Sequence, residues 1–312
     1  MKIVIGTRGS KLAIAQTEWA AERLRELGAA VTVQVVRTSG DRRVVPVPEI
    51  GIGVFVKEIE EALRRGELSL AVHSLKDLPT GPREGLALAA VPERADPSDA
   101  LVTRDGAGLR DLASGARVGT GSARRAAQLR AVRPDLVFPP VRGNVDTRLR
   151  KLDQGDFDAL VVASAGLVRL GMSARIAERL PFDTCLPAPG QGALALQVRE
   201  DDDATQSLVA QLDHAPSRAA VTAERAFLER LGGGCAIPVG ALATLSGDRI
   251  ALDGVVALGA GFANPAIVPA LGAAEGLLRE RVLGSVSDPE AVGAKLAQRL
   301  LAMGADRVIP RC

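Results

Sequence analysis

Three kinds of residue in this chain could do chemistry: a cysteine behind a glycine run, an aspartate past a buried strand, and arginines at strand-to-helix turns. In "LERLGGGCAIPVG", Cys235 follows Gly232, Gly233 and Gly234. Glycines free the backbone and clear side chains from the approach to the thiol. Cys235 therefore reads as a candidate nucleophile, against the commoner readings of a small buried residue or a thiol tolerated in a loop. The other cysteines, Cys185 and Cys312, lack that setting, and no C-x-x-C spacing occurs. With only His73 and His214 beside them, neither a structural zinc site nor any other metal is expected, and no Cys-His pairing suggests a thiol protease.

"HSLKDLPT" delivers Ser74, Lys76 and Asp77 just after an apolar run. Asp77 is either a turn residue before Leu78-Pro79 or a carboxylate projecting among cations. In the second case nearby arginines keep it ionised, and it can stabilise a developing cation or manage protons. His73 reads as structural. Three strand-to-helix turns share one design: Arg8 and Ser10 in "TRGSKLA"; Thr120, Ser122, Arg124 and Arg125 in "VGTGSARR"; and Arg142 and Arg148 in "VRGNVDTRLRK". Cations are disfavoured at helix N-termini, so arginines gathered there point to an anionic guest. Ordinary solvated residues in an arginine-rich chain are the competing reading. The repetition favours a ligand with several carboxylates or phosphates. Neither the P-loop pattern nor a full G-x-G-x-x-G is present, so nucleotide binding has little support.

The elements that must position these residues alternate. "KIVIGT" reads as a strand, Ser10 to Leu27 as a helix stopped by Gly28, "AVTVQVVRT" as a strand, "VFVKEIEEALRRG" as a helix, and "LSLAVHS" as a strand. A polar, proline-punctuated stretch at 91–102 separates this from a second α/β stretch. There, "ARVGTGSARRAAQLRAV" and "VFPPVRGNVDTRLRKLDQG" each read as strand, turn and helix, followed by the strand "FDALVVAS". A helix over "AAVTAERAFLERL" leads into the glycine run. Beyond Gly240 a hairpin about Ser246-Gly247-Asp248 and a helix opening at Asp288-Pro289 indicate a small α+β region.

Bulk properties narrow the classes. A chain of 312 residues accommodates two or three domains. Only 2% of residues are aromatic, too few for the stacking platforms of single-stranded nucleic-acid binders. Basic and acidic residues nearly balance, 39 against 37, which argues against coating a polyanion. The N-terminus does not resemble a signal peptide, and no run approaches ~18 apolar residues, so no membrane span is expected. A reduced cytosolic protein is the expectation.

Taken together, the blocks "GTRGSKLAIAQ", "GVFVKEIEEAL", "AVHSLKDLPT", "VGTGSARRAAQL", "RGNVDTRLRKLDQGDFDALVVASAGLVRLG", "LPAPGQGALALQVR" and "AERAFLERLGGGCAIPVGA" resemble the porphobilinogen deaminase (hydroxymethylbilane synthase) family. They run in the family's order through most of residues 1–241; the C-terminal part matches more in texture than in letters. The resemblance implies head-to-tail joining of four porphobilinogen molecules, with loss of ammonia, to the linear tetrapyrrole hydroxymethylbilane. It implies a covalent dipyrromethane cofactor on Cys235, which primes a chain that grows to six rings before the distal four are hydrolysed away. Asp77 becomes the catalytic carboxylate. Arg8, Ser10, Ser74, Lys76, Thr120, Ser122, Arg124, Arg125, Arg142, Arg148, Arg169 and Gln191 match positions that bind cofactor or substrate carboxylates or line the cleft.

The implied fold is α/β: two periplasmic-binding-protein-like α/β domains with an interdomain cleft, plus a small C-terminal α+β domain. The expected boundaries are 1–94 with 193–212, then 98–190, then 215–312, the last carrying the cysteine loop. Members are monomeric and cytoplasmic, with no nucleic-acid or membrane partner. One departure is Ile52, where many bacterial members carry a lysine in a loop. Either that contact is lost or Arg42 or Arg43 replaces it. The rival reading from another class is a non-catalytic anionic-solute-binding or sensing protein on the same two-domain fold, which gives no use to Cys235 or Asp77.

Overall fold

In the computed structural model the described residues are 1–36, 56–232, 238–258 and 276–307. The chain divides into two compact units, Met1–Ala95 with Ala193–Ala219, and Asp96–Gly192 with Ala220–Cys312.

The first unit is built on β1 (Lys2–Thr7), whose Ile3 and Ile5 are fully buried. It pairs in parallel with β2 (Ala30–Val35) and β3 (Leu70–Ser74). Two more strands complete the sheet, both through antiparallel pairs made by β9 (Leu194–Arg199). β9 lies between β3 and β4 (Leu86–Ala90), giving the order β2-β1-β3-β9-β4. The helix α1 (Lys11–Glu26) packs Ala20, Ala21 and Leu24 on one face with Ile3, Ile5, Leu70 and Val198. Gly28, at φ +83°, takes the left-handed conformation that ends it. On the other face α2 (Lys57–Arg64) packs Ile59 and Leu63 with Leu68, Ala71 and Leu86.

The second unit carries β5 (Asp99–Thr103), β6 (Val118–Gly119), β7 (Ala159–Ala163) and β8 (Glu178–Arg179) in the order β6-β7-β5-β8. Between the strands run α3 (Ala123–Val132), α4 (Val145–Asp153) and α5 (Ser164–Arg169). The strand expected in "VFPPVRG" does not form. A single parallel bridge, Arg117 to Val137, stands in its place. Pro139 and Pro140 have no N–H for a ladder, although Pro139 still accepts from Thr120 N at 3.2 Å.

After α6 (Asp203–Val209) and α7 (Ala215–Arg230) comes an antiparallel meander of β10 (Val239–Ser246), β11 (Arg249–Leu258) and β12 (Gly276–Ser285). Its first turn pairs Ser246 with Arg249 and holds Gly247 at φ +58°. The closing helix α8 (Pro289–Ala302) starts as expected, with Asp288 accepting from Ala291 N and proline in its first turn. Ala257 of the meander packs on Ala127 of α3 with Leu277, and Arg279 Nη2 donates to Gln128 Oε1 at 3.0 Å. Among the described residues no helix is long and apolar enough to cross a membrane.

Candidate active-site residues

β3 leads out of the first unit's core into a single 3-10 turn, Leu75–Asp77. Buried Leu75 and Leu78 anchor this turn, with Leu75 N donating to Ala193 O at 3.0 Å and Leu78 N to Leu75 O at 3.1 Å. Asp77 is thereby left exposed, and its carboxylate makes no hydrogen bond or ion pair among the described residues. Lys76 beside it is half-buried. The Ser74 hydroxyl is tied to α1, 2.9 Å from Nε2 and 3.2 Å from Oε1 of buried Gln16. Arg8 follows β1 half-buried, and Ser10 is the N-cap of α1, its Oγ accepting from Ala13 N at 3.2 Å.

His73 is buried beside Glu60. Burial pushes its pKa down to about 4 against the pull of Glu60 and Gln197, so the ring is neutral. Fully buried Glu60 accepts from Arg83 Nε at 2.8 and 3.0 Å and from Gln197 Nε2 at 3.1 Å. This cluster is a structural one.

In the second unit the turn into α3 is held by its own hydroxyls. Thr120 Oγ1 accepts from Ser122 N at 3.2 Å, and Ser122, the N-cap, accepts from Arg125 N at 3.5 Å. A Cβ on Gly121 would stand 2.8 Å from Val141 O, which is why glycine sits there.

Arg124 and Arg125 do not point into solvent. Both are buried on Asp99, a residue sequence reasoning missed, at the head of β5. Arg124 Nη1 is 2.7 Å from Asp99 Oδ2 and also donates to Leu186 O. Arg125 reaches Asp99 Oδ1 through Nε at 2.9 Å and Nη2 at 2.7 Å, and Val161 O through Nη1 at 3.1 Å. Gln191, fully buried, donates to Asp99 Oδ1 and to Pro97 O, each at 2.8 Å. Burial by itself would raise the Asp99 pKa; the two guanidiniums hold it well below the usual carboxylate range. The one clue in the sequence was an acidic residue opening an apolar strand, "DALV". Cys185 completes the cluster, its Sγ 3.3 Å from Asp99 Oδ2, and burial and that carboxylate push its pKa up to about 12.

The remaining cations of this unit are arranged differently. Arg142 is exposed. Arg148, in the first turn of α4, donates from Nε to Gly143 O at 2.8 Å. Arg169, at the end of α5, has one hydrogen bond, Nη2 to Gly192 O at 2.7 Å, and no carboxylate partner among the described residues. Burial alone lowers its pKa to about 10. Cys235, Cys312, Ile52, Arg42 and Arg43 lie outside the described residues. The end of α7 at Arg230 and the start of β10 at Val239 bracket the cysteine segment.

The residues described above set arginines, hydroxyls and one exposed carboxylate at turns that follow strands of an α/β protein. The comparisons make the class specific. Residues 3–207 match the family model described as porphobilinogen deaminase, dipyromethane cofactor binding domain, and residues 218–302 match porphobilinogen deaminase, C-terminal domain. The porphobilinogen deaminase of Desulforudis audaxviator is 48% identical over 314 residues, covering 99% of this chain and 97% of that protein. That of a Roseiflexus species is 49% identical over 307 residues, covering 97% and 96%. That of Thermus thermophilus is 46% identical over 310 residues, covering 98% of each. Among solved structures, a periplasmic substrate-binding protein from Coxiella burnetii is similar at TM-score 0.43 and 17% identity, covering 72% of this chain and 96% of that one. The chain belongs to the porphobilinogen deaminase family.

The residues present fit the family's dipyrromethane, whose pyrroles carry carboxylate side chains. Arg169, partly buried and without an acid beside it among the described residues, has the charge to meet such a group.

Proposed function

We propose that this chain joins four porphobilinogen molecules head to tail and, with one water, releases hydroxymethylbilane and four ammonia. The observation that carries the reading is Asp77, an exposed carboxylate without a partner among the described residues, placed at a strand end by a hydrogen-bonded turn. When bound through a thioether to Cys235, the dipyrromethane supplies the terminal pyrrole to which the first substrate is joined.

At each addition the C–N bond of the substrate's aminomethyl group breaks and ammonia leaves. A C–C bond forms to the terminal pyrrole, which gives up its α-proton. Asp77 places negative charge beside the cation that develops as ammonia leaves, and its oxygens can pass the proton between these positions. Arg8, Lys76, Arg142, Arg148 and Arg169 take acetate and propionate groups. Arginine suits this task because its planar fork meets a carboxylate in two-point geometry. Ser10, Thr120 and Ser122 use their acceptor sites on backbone N–H groups, which leaves a hydroxyl proton on each for a ligand oxygen. The enzyme works as a monomer in the cytoplasm, with neither nucleic acid nor membrane as a partner.

Intact-mass measurement of active protein tests this. The expected mass exceeds that of the polypeptide by two substrate-derived pyrroles on Cys235, and Ehrlich's reagent colours the native protein. An unmodified mass in protein that binds porphobilinogen without releasing ammonia would instead establish a solute-binding protein. Light scattering at working concentration checks the monomer.

A further inference from the structure

The polar cluster behind the Asp77 turn does no chemistry itself, but its hydrogen bonds have a direction. Glu60, fully buried on α2, accepts from Arg83 Nε at 2.8 and 3.0 Å and offers only acceptor sites. Gln197 of β9 therefore turns its Nε2 to Glu60, at 3.1 Å, and its Oε1 the other way. That oxygen is buried with no hydrogen-bond partner among the described residues, and so is Nε2 of His73. Both residues stand on one face of the sheet. Ala71 pairs with Gln197 and His73 with Ala195, which makes His73 and Gln197 diagonal neighbours within reach of each other. A buried donor and a buried acceptor left over side by side satisfy one another, directly or across one water. His73 is then the Nε2–H tautomer, and Nδ1 carries the lone pair.

In the sheet β3 lies between β9 and β1. The two ring nitrogens splay apart, so a ring with Nε2 turned toward β9 turns Nδ1 toward β1. The parallel register of Gly6 with Ala71, continued by two residues, brings Arg8 abreast of His73 on the same face, and the Arg8 charge reaches the ring. We infer that His73 is a positioning residue for Arg8: Gln197 holds the ring so that Nδ1 offers its lone pair to the guanidinium, which sets the direction in which Arg8 meets a ligand carboxylate. This rests on the function proposed above. A carboxylate in place of the ring would also orient Arg8, but it would cancel the charge that a ligand acetate or propionate needs. A neutral imidazole orients without cancelling. Burial, helped by Arg8, keeps it neutral against the pull of Glu60 and Gln197, with a pKa of about 4, so the lone pair persists near neutrality.

The test reads the tautomer first and then its effect. Long-range proton–nitrogen spectra of the full chain with isotope-labelled histidine show only two rings, His73 and His214, and His73→Asn assigns them. Between about pH 6 and 8 His73 should carry its proton on Nε2 alone. Gln197→Met removes the anchoring oxygen while Arg83 keeps its hold on Glu60, and it should leave the two tautomers mixed. An Nδ1–H ring in the wild type, or an unchanged tautomer in Gln197→Met, overturns the inference. The second arm measures steady-state kinetics of the enzyme with its cofactor bound, in variants whose fold is checked by circular dichroism. An asparagine amide oxygen can stand where Nδ1 stood, so His73→Asn should keep KM for porphobilinogen within about threefold of wild type. His73→Leu has similar bulk but no acceptor, and should raise KM about tenfold while kcat changes less. Equal KM values in these two variants overturn the inference and leave the proposed function standing. Should His73→Leu fail to fold, the tautomer decides alone. Wild-type protein that releases no ammonia from porphobilinogen overturns the function, and the inference with it.

Discussion

Replacing Arg169 by methionine should stabilise the protein without its cofactor while weakening its hold on substrate. The guanidinium lies in a buried place with one hydrogen bond, to Gly192 O at 2.7 Å, and burial brings its pKa down to about 10. A fall of that size corresponds to roughly 3 kcal/mol against the charged form. Because the folded-state pKa of this base is depressed, the penalty is fully present below pH 10. It fades only as the pH climbs through that value toward the unfolded one, so all of it is felt near neutrality. Methionine fills much of the same volume without the charge. It leaves Gly192 O short of a donor at a cost of about 1 kcal/mol, and partial solvation of the arginine trims the gain further. A net stabilisation of about 1–2 kcal/mol remains, worth a few degrees in thermal midpoint for a chain of this size. Urea unfolding and calorimetry of the cofactor-free protein at pH 7 measure it. In the loaded enzyme the lost charge-assisted hydrogen bonds to a carboxylate, worth roughly 1.5–3 kcal/mol, should raise KM about tenfold or more. A methionine variant that melts several degrees lower and keeps its KM would mean that Arg169 is a strut, and the reasoning from its burial would be wrong.

Asp77→Asn should fold and load its pyrroles but lose about 10²–10⁴-fold in kcat, the range for a positioned acid–base group; turnover within a factor of two of wild type would remove Asp77 from the chemistry. His73 should make wild-type stability fall with acid. Its pKa near 4 lies below the unfolded value of about 6.5, so its contribution is complete above pH 6.5 and is lost, by up to roughly 3 kcal/mol, as the pH falls toward 4. His73→Asn should flatten urea-derived stability across that window, and an unchanged slope would assign the acid sensitivity elsewhere. Gly293→Ala should lower the thermal midpoint, because the new Cβ would stand 2.3 Å from Ala223 O and 2.7 Å from Phe227 N of α7. Overpacking of this kind costs about 1–3 kcal/mol or more, and a midpoint within a degree of wild type would mean that α7 and α8 separate freely.

Much of the local structure was legible because the signals are local. Ser10 and Gly28 bound α1, Asp288-Pro289 opens α8, and Gly247 turns the hairpin, each through backbone chemistry that acts within a few residues. "VFPPVRG" misled because its apolar residues have a strand's texture while its prolines have no N–H to give a ladder. Partners far along the chain were harder. Glu60 finds Arg83 and Gln197, and Asp99 finds Arg124, Arg125, Cys185 and Gln191, at separations that no periodicity reports.

The site shows the same division. Residue types alone put arginines, hydroxyls and Asp77 at turns after strands, which points to a ligand with several carboxylates or phosphates, and the family resemblance narrows it to carboxylates. They leave open which of those groups still have a face to offer. Tertiary structure decides this, since a polar group taken out of water must be paired somewhere. It directs Arg125 and Gln191 inward onto Asp99 and ties Ser74 to Gln16. It leaves Asp77 without a partner among the described residues. The sequence by itself pointed to an anionic ligand, because charge and hydrogen-bonding capacity belong to the residue. Only the folded chain decided which residues can meet it, because their internal partners are brought together from opposite ends of a domain.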